Sequence, residues 1–473
     1  MTKRLSIIVL ALLLGFSATP VSAQTPTPTS PSTAGPVYIV QEGDTLWDIA
    51  ALFNTSVEDI LRANGKTSSE IYVGDHLVIP IPSLESLNGT LTTEIVPFGE
   101  TLRSLSRQYR VDDAMLMKLN HIVSPTELYA GVKLIILQQE SQPAWTARSN
   151  LRPGETMLEL AVRQDTDPWT LTEINELSGT WAGLPDDVLY LPSGNSDAKM
   201  TGLPAAFSTV DVTPLPPIQG TTVEIHITAT QPVSLGGMLI DHPLHFFQMS
   251  DGSWVALQGI HAMTEPGIYP LRLDAILPDG TLQSFEQMVL VKSGYYPNDP
   301  ILVVNREMID PAITEPEDAQ IRDLVSPATP ERYWEGVFRS PGYFPDCYNS
   351  LYGSRRVYTT EDRTLIISGF HSGLDLCGGA GLPIYAPAPG VVVFADQLEV
   401  RGYATIIDHG WGVYSGFWHQ AEILVQAGQK VEAGDIIGKV GGTGRVTGPH
   451  LHWEIWVNGV QVNPLEWLQK AFP

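Results

Sequence analysis

From residue 37 onward the apolar positions fall into a recurring block: a strand-like run, two stretches with helical spacing, and a second strand-like run. In the first block Val37 to Val40 is a short apolar strand. Leu46, Ile49 and Ala50 then share one face of a helix, which the preceding Asp44 and Thr45 can cap. Ser56 to Ala63 forms a second helix, and Val73-Gly74-Asp75 turns into a closing strand, His76 to Ile79. The opening motif Gly43-Asp44-Thr45-Leu46 returns as Gly99-Glu100-Thr101-Leu102 and as Gly154-Glu155-Thr156-Met157, at spacings of 56 and 55 residues. In each copy an apolar residue follows the glycine by six positions (Ile49, Leu105, Leu160) and an asparagine by twenty-one (Asn64, Asn120, Asn175). Three matching offsets in three copies make this an internal repeat, with βααβ units over residues 37–81, 92–138 and 144–193.

The pattern then changes. Alternating apolar positions in Thr221–Ala229, Trp254–Ile260, Ile268–Ile276 and Phe285–Val291 are separated by turn signals such as Ser250-Asp251-Gly252 and Pro278-Asp279-Gly280. Short strands at this spacing predict an antiparallel β-sandwich of immunoglobulin-like size over residues 205–293. A partly helical connector is expected over 300–345, and a further domain over 346–470. The expected fold class is therefore multidomain: α+β repeats, a β-sandwich spacer and a mainly β C-terminal domain.

The N-terminal residues add a compartment. Lys3 and Arg4 precede an apolar run from Ser6 to Phe16, and Val21-Ser22-Ala23 offers small residues before a cut at Gln24, which predicts a signal peptide over 1–23. The run is far shorter than the ~20 residues of a membrane span, so no transmembrane anchor is expected after cleavage. Residues 24–36, rich in Thr, Pro and Ser, predict an extended tether. A formal charge of -25 sets the chain against nucleic-acid partners, because phosphate backbones would repel it. The two cysteines, Cys347 and Cys377, are expected to pair in an oxidising compartment, the alternative being two buried thiols.

Candidate chemistry concentrates at the C-terminal end, where five of the eleven histidines lie between residues 371 and 452. His371 and Asp375 form His-x-x-x-Asp, and His450-Leu451-His452 forms His-x-His beside the strand-like Leu451 to Val457. Residues two apart on a strand share a face, which groups His450, His452 and Glu454 against Trp453 and Ile455. Zinc takes imidazole nitrogen and carboxylate oxygen, and a catalytic site holds it with three protein ligands. Two histidines and an aspartate from distant segments meet that requirement. By contrast, His242 and His245 flank a proline and a leucine with no nearby cysteine, and are expected to be surface or turn residues.

Two resemblances follow from these residues. The βααβ unit resembles the LysM domain, which implies binding of N-acetylglucosamine-containing glycan such as peptidoglycan. The first copy matches best. The second has Pro97-Phe98 in place of Gln41-Glu42, and the third has Leu184-Pro185-Asp186-Asp187 where the others use a glycine turn. The C-terminal stretch from about Cys347 to Leu468 resembles the lysostaphin-type (LytM-like) zinc metallopeptidases of peptidoglycan. It does so through His371-Ser372-Gly373-Leu374-Asp375, Ala386-Pro387-Ala388-Pro389-Gly390, Ile406-Ile407-Asp408-His409-Gly410 and Gly448-Pro449-His450-Leu451-His452-Trp453-Glu454.

That resemblance implies a mostly antiparallel β domain holding one Zn2+ on His371, Asp375 and His452. It also implies two further catalytic histidines, His450 and His419, one as general base and the other as oxyanion stabiliser; the expected division is His450 as base and His419 as stabiliser, the alternative being the reverse. His409 is expected to be structural. Glu454 either orients a ligand histidine or caps a surface position, and Arg355 and Arg356 either hold a substrate carboxylate or solvate a loop edge. The expectation is a secreted, wall-associated peptidoglycan endopeptidase that cuts peptide stems or cross-links. The alternatives are a non-catalytic wall-binding or hydrolase-regulating relative, and a glycan-binding adhesin with a structural zinc.

Overall fold

A computed structural model describes residues 35–81, 89–138, 145, 147–152, 154–184, 187–193, 203–446 and 448–473. The predicted signal peptide, most of the tether, and Pro185-Asp186 of the third repeat lie outside the described residues. Two compact units emerge, residues 1–88 and 89–473.

The first unit contains one βααβ repeat. Strands Val37–Ile39 and His76–Val78 pair antiparallel, with Val37 opposite Val78. Between them run helices Leu46–Leu52 and Val57–Ala63, capped by Thr45 and Ser56, whose hydroxyls accept from the Asp48 and Asp59 amides. Asn64 joins the second helix to the closing strand: its amide donates to the Ile60 and Val78 carbonyls and its carbonyl accepts from Val78 N–H.

The second unit begins with the other two repeats. One has strands Thr90–Ile95 and Lys133–Gln138 around helices Leu102–Tyr109 and Asp113–Leu119. The other has strands Arg148–Asn150 and Val188–Tyr190 around helices Met157–Arg163 and Pro168–Ile174. Asn120 bonds Leu116 and both backbone groups of Ile135, and Asn175 bonds Leu171 and both of Tyr190. The asparagine at a fixed offset is thus a staple between helix and strand in all three repeats. Asn175 is fully buried. Asn175→Ala is expected to cost about 2–4 kcal/mol, because three bonds are lost and Tyr190 keeps two buried backbone groups unpaired. Hydrogen exchange at the Tyr190 amide checks it.

Next comes the sandwich, two four-stranded sheets. One orders His242–Pro243, Ser234–Leu239, Gly267–Ile276 and Leu282–Val291; the other orders Phe247–Gln248, Trp254–Gly259, Thr222–Ala229 and Phe207–Thr213. The alternation pattern passed over Ser234–Leu239 because Gly236 and Gly237 weaken its strand signal. A Cβ at Gly237 would stand 2.2 Å from the Arg272 carbonyl oxygen, so the neighbouring strand leaves room only for glycine. Helices Arg306–Ile309 and Pro311–Val325 follow the sandwich.

The C-terminal domain is built on a ten-stranded sheet whose main path runs Tyr348–Ser350, Leu374–Leu376, Leu451–Val457, Val413–Ile423, Gly402–Gly410, Gly390–Leu398 and Lys430–Val431. Its strand pairs are antiparallel. One face packs Leu374, Phe417, Trp453 and Ile455 against Trp334, Phe338 and Trp467, and this core takes in Val255 and Leu257 of the sandwich. On the other face Ala404, Ile406, Tyr414, Trp418 and Trp456 pack against Ile321 and Val325 of the helix Pro311–Val325.

The sandwich is therefore more than a spacer. It donates Thr222 N–H to Glu466, its Thr222 hydroxyl accepts from Trp467, and Phe247 stacks on Trp411 with ring centroids 4.9 Å apart. On its far side it grips the second repeat. Gln287 bonds Gly99 N–H and the Glu100 carbonyl, Ala130 exchanges both backbone bonds with Met288 and Leu290, and Phe98 meets Phe285 edge-on.

Candidate metal centre

Asp375 lies in Leu374–Leu376, directly opposite His452 of Leu451–Val457 in the antiparallel register. The Cys347–Cys377 disulfide, with Cα atoms 5.3 Å apart, fastens the strand carrying Asp375 to its outer neighbour. His371 follows strand Ile366–Phe370 and is held by two backbone bonds, from its N–H to the Ser354 carbonyl and from Gly353 N–H to its own carbonyl. Gly373, between the two, lies so close to the next strand that a Cβ there would stand 2.4 Å from the Trp453 carbonyl oxygen and 2.6 Å from His452 Nε2. The spacing His-x-x-x-Asp works because the middle residue has no side chain.

These three residues converge. Asp375 Oδ1 lies 3.0 Å from His371 Nε2 and 2.8 Å from His452 Nδ1, and the two nitrogens are 3.2 Å apart. Among the described residues they form the single group able to hold a metal ion. Ligands at zinc–nitrogen distances and tetrahedral angles stand roughly 3.3 Å from one another, so the triangle has the right scale.

The outer bonds set the tautomers. His371 Nδ1–H donates to the Leu351 carbonyl at 2.7 Å, which leaves the Nε2 lone pair facing inward. His452 Nε2 meets Glu454 Oε1 at 3.2 Å, which leaves Nδ1 facing inward. A carboxylate or carbonyl behind each ligand histidine is the usual way such rings are fixed.

Glu454 is itself buried and accepts from the Ser372 hydroxyl, Trp456 Nε1 and Gln461 Nε2. That rules out the surface-cap alternative. Electrostatics match. Burial pushes the Glu454 carboxyl up, but the bond and charge of His452 outweigh it, and its pKa falls to about 2. Burial works against the charged form of His452, yet Asp375 and Glu454 raise its pKa to about 9. Burial likewise opposes the Asp375 carboxylate, but its bonds to His371 and His452 hold its pKa well below the usual carboxylate range. The buried Glu454 carboxylate and the half-buried Asp375 carboxylate thus favour positive charge at this point. Glu454→Gln is expected to weaken metal affinity about 10–100-fold, measured by chelator competition.

His419 and His450 stand beside the triangle. Their ring centroids are 5.4 Å apart, and His450 Nε2 lies 3.5 Å from Asp375 Oδ1. His450 precedes its strand by one residue and donates Nδ1–H to the Gly448 carbonyl. His419 lies within strand Val413–Ile423, where the register with the neighbouring strand shifts between Phe417 and Gln420, in a left-handed conformation, φ 62°, and donates Nδ1–H to the Thr443 carbonyl. Burial, with His452 and His450 adding to it, lowers the pKa of His419 to about 3. Both rings are therefore arranged to keep Nε2 unprotonated when neutral.

The remaining residues sort themselves. His409 is fully buried between the Pro389 carbonyl and the Ser415 hydroxyl, outside the cluster. Arg356 is tied to Asp299 and to Ser350, whose hydroxyl is 3.2 Å from His371 Nδ1, while Arg355 is half-buried in the same strand. Leu244 between His242 and His245 is buried, and neither histidine joins a metal-binding group among the described residues. Ser350 and Arg401 carried no motif signal and enter only through tertiary contact, whereas Thr443 belongs with Gly444 to the glycine-rich stretch that leads to His450.

Residues 369–464 match the Peptidase family M23, and residues 38–80 and 95–137 match the LysM domain. The chain is 43% identical over 96 residues to the peptidoglycan DD-endopeptidase ShyA of Vibrio cholerae, covering 20% of this chain and 22% of that protein. It is 42% identical over 95 residues to the DD-carboxypeptidase/endopeptidase Mpg of Neisseria meningitidis, with the same shares. The match thus spans about a fifth of the length of these curated relatives. A solved peptidase M23 chain of Pseudomonas aeruginosa aligns with 54% of this chain and 96% of its own, at 28% identity and TM-score 0.40. No helix among the described residues is long and apolar enough to cross a membrane.

Proposed function

We propose that this chain, which carries a Peptidase family M23 domain preceded by two LysM domains, is a secreted zinc-dependent endopeptidase of peptidoglycan that works while bound to the cell wall. The observation that carries the reading is the inward triangle of His371 Nε2, Asp375 Oδ1 and His452 Nδ1 with His419 and His450 beside it. Zinc held there would supply a Lewis acid for the scissile carbonyl and activate water.

The chain's own groups do the rest. His450 Nε2, the closer of the two to the ligand triangle, takes the water's proton, while its Nδ1–H stays on the Gly448 carbonyl. His419 faces the developing oxyanion. Its Nδ1–H is committed to Thr443 and burial disfavours its imidazolium, so it donates from Nε2 only while it holds a proton released by the attacking water. Glu454 and Leu351 hold the two ligand rings still throughout.

Wall binding is assigned to the first repeat, where Trp47 and Tyr72 are exposed and offer faces for sugar rings. The corresponding edge of the second repeat, Phe98 to Glu100 and Ala130, is engaged by the sandwich. Tethering the domain to an insoluble substrate raises its effective concentration there.

The relatives' DD-endopeptidase names make D-Ala cross-links the first bond to test. Purified peptidoglycan incubated with the zinc-loaded protein should release fragments with new peptide ends by mass spectrometry. Binding to several peptidoglycan types without new ends would sink the enzymatic reading.

A further inference from the structure

The helix Pro311–Val325 lies outside the stretch that matches the peptidase family, yet it reaches the site. Glu317, on its inner face, is almost fully buried. Its Oε2 accepts from Val400 N–H at 2.7 Å, and its Oε1 accepts from Arg401 N–H at 3.1 Å and Arg401 Nη1 at 3.0 Å. Arg401 completes its pairing with Asp318 and lies over the Trp418 ring. One carboxylate thus grips the whole turn between strands Gly390–Leu398 and Gly402–Gly410.

That turn holds His419. The Arg401 carbonyl accepts from His419 N–H at 2.8 Å. The Thr443 carbonyl accepts from its Nδ1–H, and the Thr443 hydroxyl bonds both Tyr403 N–H and the Gln420 carbonyl, one residue on. The two loops are locked together: a Cβ at Gly402 would stand 2.4 Å from Thr443, and a Cβ at Gly444 2.4 Å from Gly402 N. His419 itself sits at φ 62°, a conformation that costs a non-glycine residue of order 1–3 kcal/mol and persists only where its surroundings over-determine it.

We infer that Glu317 is a positioning residue for His419, so that the catalytic unit extends back through the connector helix to Pro311. The inference rests on the catalytic reading of His419 given above. Glu317 is not among the contacts of the metal-ligand triangle. Without its carboxylate, two backbone N–H groups lose their acceptor and the buried Arg401 guanidinium keeps only Asp318, the turn must rearrange, and the loops that fix both ends of His419 move with it. A misplacement of about 1 Å costs on the order of 100-fold in rate.

The test uses the full chain and soluble cross-linked muropeptides. Glu317→Gln keeps shape and loses the charge, and is the variant of choice if Glu317→Ala fails to fold. It should lower kcat about 10–100-fold, with KM, melting temperature and zinc content near those of the parent. In the His419→Ala background it should cost nothing further. The His419 Nδ1–H proton resonance should shift in Glu317→Gln. An unchanged kcat in Glu317→Gln, or an equal loss with and without His419, overturns the inference while His419 keeps its role. An undiminished kcat in His419→Ala overturns the reading beneath it, and the inference falls with it.

Discussion

Replacing His371 by alanine is expected to reduce bound zinc from one per chain to near zero, and to lower peptidoglycan cleavage by at least about 10³-fold. The size follows from the triangle. His371 Nε2 and His452 Nδ1 both lean on the single oxygen Asp375 Oδ1, so loss of one imidazole leaves a pair of ligands on adjacent strands with no third direction of approach. It also frees the Leu351 carbonyl and the Ser350 hydroxyl, which now hold the ring. Zinc content by atomic emission and fragment release by mass spectrometry read the two losses separately. His245→Ala, which removes an exposed histidine remote from the cluster, should leave both unchanged. Retained zinc with retained cleavage in His371→Ala would refute the ligand set.

What made these residues legible is the narrowness of the chemistry. A metal centre accepts few residue types, and the short motifs His-x-x-x-Asp and His-x-His survive as local patterns even though the strands that carry them meet only in the fold. The repeats were legible for a related reason. Asn64, Asn120 and Asn175 recur at one offset, although their role as staples between helix and strand appears only with the hydrogen bonds. Glu317 had no such signature. It is one acid among several in Glu315-Pro316-Glu317-Asp318, and its importance comes from a turn more than eighty residues away. Likewise, nothing in the alternation of Trp254 to Gly259 announces that Val255 and Leu257 belong to the core of the C-terminal domain. Long-range packing is read from neither composition nor period.

That shared core makes the interface between sandwich and C-terminal domain the place where pH should act on stability. Glu466 is half-buried there, accepting from Thr222 N–H, and burial raises its pKa to about 7, against the pull of Thr222 and Lys470 and with Glu224 pushing the same way. A carboxyl with a raised pKa binds its proton more tightly in the folded chain than in the unfolded one. Its contribution is therefore fully present below the unfolded pKa near 4.5 and is lost as pH rises to about 7. At roughly 1.4 kcal/mol per pH unit between these two values the loss amounts to about 3–4 kcal/mol.

Glu224, next to it, works in the opposite sense. Burial raises its pKa, but His226 and Lys470 more than compensate, so its contribution holds above the unfolded carboxyl pKa and fails in acid. Glu466→Gln separates the two, because glutamine copies the protonated acid and can still accept from Thr222. The variant should match the parent near pH 4 and exceed it by about 3–4 kcal/mol near pH 8. Amide exchange at Thr222, whose N–H bonds this side chain, measures the difference locally. A variant no more protected than the parent at pH 8 would mean that Glu466 is ionised in the folded chain without penalty, and that the interface is wetter than its packing implies.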